Sequence, residues 1–283
     1  MSALAVAKKD FRDAAQSRAL WALLAVFVLL SSLLSYAYAE FPAEVVGSGT
    51  DGASVGGLIF FTSGIVTLFV SLTAIVVCYK SIAGEREIGS IKLLLALPHS
   101  RRDVFLGKLL GRGAVLSAAL AVGLLIGFGL GFGLIGDFDL VPVLVFLVLT
   151  LVFAVTFVGI VVSISATTGS TSRATTLSIG FFLLFELLWD AVATGIFYVA
   201  NGFSFAGDAP DWYFLVTQIP PSSAYTASLI TLLPETADAV GIGVGADQFD
   251  AFYATTSIGF VFLVFWLVVP LAVGYRRFND ADL

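Results

Sequence analysis

Two acidic residues stand where acids are rare. Glu186 and Asp190 lie four residues apart in SIGFFLLFELLWDAVATGIFYVA, and that spacing puts them on one face of a helix. At ~1.5 Å rise per residue from Ala174, Glu186 sits ~18 Å along the helix and Asp190 ~24 Å, so the first is near mid-membrane and the second in the outer half. An unpaired acid at mid-bilayer costs ~2.5 to 3.5 kcal/mol on insertion scales, and no Lys or Arg lies at that depth to offset it. The pair should therefore face a polar cavity or a packed helix. A role in a substrate pathway and a structural hydrogen-bonding role are both open.

The second concentration of polar chemistry is CYKSIAGEREIGSIKLLLALPHSRRDVFLGKLLGR, from Cys78 to Arg112, with seven of the fourteen Lys and Arg residues. From Gly84 to Leu97 the spacing predicts an amphipathic helix with Ile88, Ile91, Leu94 and Leu95 on one face; Leu93 and Leu97 project on the polar side. Pro98 ends it, and Ser100-Arg101-Arg102-Asp103 is a capping-box pattern opening the next helix. The Glu85, Arg86 and Glu87 cluster, taken by itself, reads as a solvated loop face.

Other chemistries are poorly supported. No segment has the G-x-x-x-x-G-K-[ST] nucleotide loop, since Gly107-Lys108 lacks both the upstream glycine and the following Ser/Thr, so any ATP binds elsewhere. No catalytic set can be assembled around the lone His99, and one Cys, one Met and one His give neither a disulfide framework nor a metal cluster. Met1, Cys78 and His99 are the only soft or imidazole ligands, and none lies in the central membrane region. Cys78 reads as a small buried hydrophobe.

The elements that must position these groups are membrane helices. With 283 residues, 59% hydrophobic and 12% charged, and a mean hydropathy of +1.02, the chain reads as a single all-α, polytopic membrane domain. Six spans are expected at about 20–38, 58–79, 104–135, 142–165, 174–199 and 251–275. Ala37-Tyr38-Ala39 resembles a cleavage site, but the apolar stretch before it exceeds a signal-peptide core. Ser2 to Arg18 reads as an interfacial helix with a Leu4, Ala7, Phe11, Ala14 and Ala15 stripe. In the third span Gly107, Gly111, Gly123, Gly127 and Gly131 recur at small-xxx-small spacing, which predicts a close helix seam. Short outer helices at Trp212–Ile219 and Ala224–Leu233 flank Pro220-Pro221, and Pro270 should bend the last span.

Charge sets the orientation. All fourteen Lys and Arg residues fall on one side of this map, while the opposite loops hold eleven acids and no bases; the positive-inside rule then makes both termini cytoplasmic. So acidic an outer face stays hydrated in high salt, which points to a halophilic source.

AGEREIGSIKLLLALPHSRRDVFLGKLLGR resembles the loop before the third helix of ABC-2-type permeases. Glu85, Arg86, Gly89, Leu93 to Leu95, Pro98, Ser100, Arg101, Arg102, Gly107, Lys108 and Leu109 match that pattern in order, with a leaning toward the branch containing nitrous-oxide-reductase maturation permeases. The resemblance implies the permease subunit of an exporter in the plasma membrane, working as a homo- or heterodimer of permease subunits amid membrane lipid. Separate ABC ATPase subunits would bind ATP and Mg, this chain would hold no cofactor, and nucleic acid is not a partner. Glu85, Arg86, Glu87, Leu93, Leu97, Arg101 and Arg102 would form the ATPase-coupling surface. The rival is a proton-coupled secondary carrier using Glu186 and Asp190, although no repeat relates spans one to three with four to six; a membrane scaffold without transport is the third reading.

Overall fold

The computed structural model describes residues 3–16, 18–40, 54–92, 100–136, 139–205, 209–238 and 252–281. Among the described residues six helices are long and apolar enough to cross a membrane, and no strand occurs. In chain order the helices are α1 (Ala3–Ala15), α2 (Arg18–Glu40), α3 (Val55–Cys78), α4 (Ala83–Glu87), α5 (Arg101–Ile135) and α6 (Leu140–Thr167). The fifth span is α7 (Thr171–Phe182), a π segment (Leu183–Leu188) and α8 (Trp189–Ala200). Then come α9 (Asp211–Thr217), α10 (Pro221–Leu232), α11 (Pro234–Asp238), a 3-10 turn (Phe252–Ala254) and α12 (Ile258–Asn279).

The helix ends follow local chemistry. Ser100 and Asp103 form the full reciprocal capping box at the start of α5, and Gly136 closes that helix with φ of 77°, a left-handed conformation that costs glycine little. Asp139 caps α6 by accepting from Val141 N–H at 3.0 Å. Pro221 occupies the first turn of α10, where a missing N–H removes nothing the helix needs. The last helix begins at Ile258, later than its apolar run. Thr255 Oγ1 donates to Phe252 O, a local hydroxyl bond of the kind that competes with helical pairing, and Thr256 Oγ1 accepts from Thr231 of α10.

α6 is the axis of the bundle. In its most apolar window 67% of residues are buried, against 11% in the fifth span, so the fifth span lies at the periphery of this chain. Phe146, Phe153 and Phe157 are fully buried on α6, and Thr150 between them meets the Tyr225 hydroxyl of α10 at 2.8 Å. Thr150 spends its proton on Phe146 O, so Tyr225 donates. This bond holds α10 inside the bundle.

The glycine steps of α5 do form a seam. A Cβ on Gly111 would meet Asp10 and Ala7 of α1, one on Gly123 would fall 2.6 Å from Phe27 Cβ of α2, and one on Gly127 would overlap Ser31. Gly129 and Gly133 face open space. Helices in lipid gain by close packing and polar contacts rather than by hydrophobic expulsion, and the Ser31 hydroxyl donates across this seam to Gly123 O. On α1 the packed side is Val6 and Ala7, while Leu4 and Phe11 stay exposed. The expected stripe is therefore divided, because Gly111 admits the Ala7–Asp10 side most closely.

Candidate functional site

Four charged groups meet at the basic end of the bundle. Lys108 is 3% exposed and its Nζ lies 2.6 Å from Glu85 Oε1 and 3.9 Å from Asp10 Oδ1. Arg112, one turn on, reaches Asp10 Oδ2 at 3.4 Å. The network joins α1, α4 and α5. A buried ammonium is expensive without partners, and here it has two carboxylates from two other elements.

The neighbours of Glu85 bond to two further helices. Arg86 Nη1 donates to Ala166 O at 3.0 Å near the end of α6, and Glu87 Oε2 accepts from Thr171 N–H at 3.0 Å at the start of α7. Each charge suits its place, because helix C-termini present unpaired carbonyls and negative potential, and N-termini the reverse. Ser165 completes the join: its hydroxyl accepts from Ile82 and Ala83 N–H and donates to Tyr79 O, fixing the bend between α3 and α4. Three consecutive residues of α4 thus hold α5, α6 and α7.

The expected helix from Gly84 to Leu97 is broken. α4 ends at Glu87 and Gly89 has φ of 74°, which stops α-helical propagation; helical structure resumes at 90–92. Ile88, expected on the face toward the membrane helices, is 78% exposed, whereas Ile91 is buried. Leu93 and Leu97, with Leu94, Leu95, Pro98 and His99, lie outside the described residues. Arg101 turns inward, and its Nη1 donates to the Phe278, Asn279 and Ala281 carbonyls at the end of α12. Arg102 is exposed.

Glu186 and Asp190 part company. Glu186 lies in the π segment, and its carboxyl lies toward Ser222 in the first turn of α10. Its Oε1 is buried with no partner among the described residues. Asp190 is exposed. Close by, Trp189 Nε1 donates to Val216 O at 2.8 Å and Trp266 Nε1 to Ile219 O at 2.6 Å. Phe185 stacks on Trp189 and meets Trp266 edge-on, with ring centroids 5.0 Å apart in both pairs. The turn between α9 and α10 is held by two indoles.

Glu186→Gln keeps a polar group of the same shape beside Ser222 and is expected to retain both stability and transport; Glu186→Leu removes it and should lower stability, since the polar groups it faces are left without that partner. Thermal unfolding in detergent beside a transport assay checks this. A Gln variant that folds normally yet fails to transport would favour the proton-coupled reading, and an unaffected Leu variant would remove both roles.

The sequence reading missed the Lys108 network and Ser165. Lys108 carried a signal, being a cation inside a glycine-rich spanning helix where a partner is required. Nothing in the sequence pointed to Ser165.

A family model described as ABC-2 family transporter protein matches residues 4–283. The chain is 25% identical over 288 residues to the probable ABC transporter permease protein NosY of Stutzerimonas stutzeri, covering 97% of this chain and 96% of that one. It is 32% identical over 121 residues to the probable ABC transporter permease protein NosY of Pseudomonas aeruginosa, a match that covers 40% of this chain and 39% of the relative.

Proposed function

The chain belongs to the ABC-2 family of transporter proteins, and from that premise we propose that it is the permease subunit of an ABC exporter driven by separate ATPase subunits. The ATPase, holding ATP and Mg, seats on the basic end, which faces the cytoplasm with both termini. Two permease subunits, identical or related, form the transport unit in the plasma membrane. Glu85, Arg86, Glu87, Leu93, Leu97 and Arg102 belong to the coupling region, with Arg101 tying it to α12.

The observation that carries this reading is the division of labour at α4. Its three charges bond inward to α5, α6 and α7, while Ile88 beside them is exposed and Leu93 and Leu97 follow in sequence. A partner that grips the apolar residues and moves displaces a segment already bonded to three spanning helices. Packed, hydrogen-bonded elements transmit such a shift because they do not deform continuously. The basic residues on this side agree with a cytoplasmic placement. The names of the two relatives, both ABC transporter permeases, support the same assignment.

Ile88→Cys tests the orientation on which this rests, since native Cys78 is buried and gives little background. A membrane-impermeant maleimide should label the variant in opened membranes and not in intact cells, and bound ATPase should protect it. Labelling in intact cells would place α4 on the outer side and remove the docking site.

A further inference from the structure

Between the fourth, fifth and sixth spans runs an open apolar cleft of about 550 Å³, lined in part by Ile164, Leu177, Gly180, Phe181, Phe265 and Val269. At the basic end it meets a second pocket of about 420 Å³ whose walls include Arg86, Arg276, Arg277 and Asp280. Thr167 and Val273 line both, so the two are one groove, apolar along its membrane length and cationic at its mouth. From Phe265 to Val273 the apolar part follows ~12 Å of α12.

We propose that this groove binds one anionic phospholipid, with an acyl chain in the apolar cleft and the phosphate on Arg276 and Arg277. Charge complementarity selects this occupant. Arg276 and Arg277 are exposed and enter no ion pair among the described residues. Arg86 has one N–H donor committed to Ala166 O, out of the five a guanidinium carries. Asp280 is the one acid among the described residues of the pocket wall, where Arg86, Arg276 and Arg277 face it. A soluble anion would have no use for the apolar half of the groove, and a neutral lipid none for the arginines. The inference stands apart from ATPase docking and survives if that reading fails.

Gly180 supplies a specific probe. A Cβ there would meet nothing within 4 Å, so Gly180→Leu can extend into the cleft without displacing a neighbour. Arg276→Gln with Arg277→Gln removes charge from the mouth and leaves the cleft unchanged. The experiment is native mass spectrometry of the purified full chain with phosphatidylglycerol, phosphatidylcholine or inorganic phosphate.

The wild type should retain phosphatidylglycerol in preference to phosphatidylcholine and should not retain inorganic phosphate. Polybasic contact with anionic headgroups predicts roughly a fivefold loss of that preference for each arginine removed. Gly180→Leu should weaken retention of phosphatidylglycerol while thermal unfolding stays at the wild-type midpoint. Should Gly180→Leu destabilise the fold, Leu177→Trp fills the same wall and serves in its place. Equal retention of the two lipids, equal binding of inorganic phosphate, or a cleft variant that binds like the wild type would each overturn the proposal. So would a wild-type chain whose cleft is closed by a second copy, seen as loss of lipid on dimerisation.

Discussion

Lys108→Met is expected to destabilise the bundle by about 3 kcal/mol, the lower end of what removing one partner of a buried ion pair costs. The substitution keeps most of the apolar stem and removes the charge, leaving Glu85 without the ammonium 2.6 Å away. Asp10 keeps Arg112, and Glu85 retains partial access to water, which is why the lower figure applies. Adding Glu85→Gln should restore part of the loss, because the double variant no longer strands a carboxylate; the coupling between the two changes is the quantity to measure. Thermal unfolding of the four proteins in one detergent reads it directly. A Lys108→Met variant as stable as the wild type would mean that the Lys108–Glu85 pair adds nothing net to the packing of α4 on α5.

What could be read from the sequence, and what could not, follows the range of the interactions involved. The α5 seam was legible because glycines at four-residue steps define a face without any knowledge of the partner. Likewise, Ser100 and Asp103 satisfy each other within one turn, whereas Pro220-Pro221 read as a break and the helix expected from Ala224 in fact begins at Pro221. The break at Gly89 was hidden, since glycine is tolerated within a helix and also serves to end one; the left-handed φ decides between them. That break is the reason Ile88 points outward despite its helical spacing with Ile91. The inward turn of Glu85, Arg86 and Glu87 depends on partners distant in sequence, Lys108 within α5 and the helix ends at Ala166 and Thr171. Glu186 was legible as an anomaly, but its placement against α10 was not, because Ser222 comes from a different element. The π segment around it has no sequence signature of its own.

Leu93→Asp should have the largest effect on function. Two leucines seated in a partner pocket contribute ~1.5 to 3 kcal/mol each before the costs of association, so losing one and adding a charge should weaken ATPase binding by about tenfold or more. The exposed Ile88 predicts a second variant, Ile88→Asp, with the same direction. Arg86→Ala should bind the ATPase nearly as well as the wild type, since its guanidinium bonds to Ala166 O within this chain, but should transmit less. Assembly and coupling are thereby separated, the apolar residues governing the first and the inward charges the second.

The most direct measurement is the stimulation of ATP hydrolysis when the purified ATPase is added to this chain in lipid nanodiscs, alongside recovery of the ATPase on the immobilised permease at matched expression. The account predicts loss of both recovery and stimulation with Leu93→Asp, and near-normal recovery with reduced stimulation for Arg86→Ala, while both variants fold and insert. Equal recovery and equal stimulation for wild type and Leu93→Asp would contradict the docking of an ATPase at this end of the bundle.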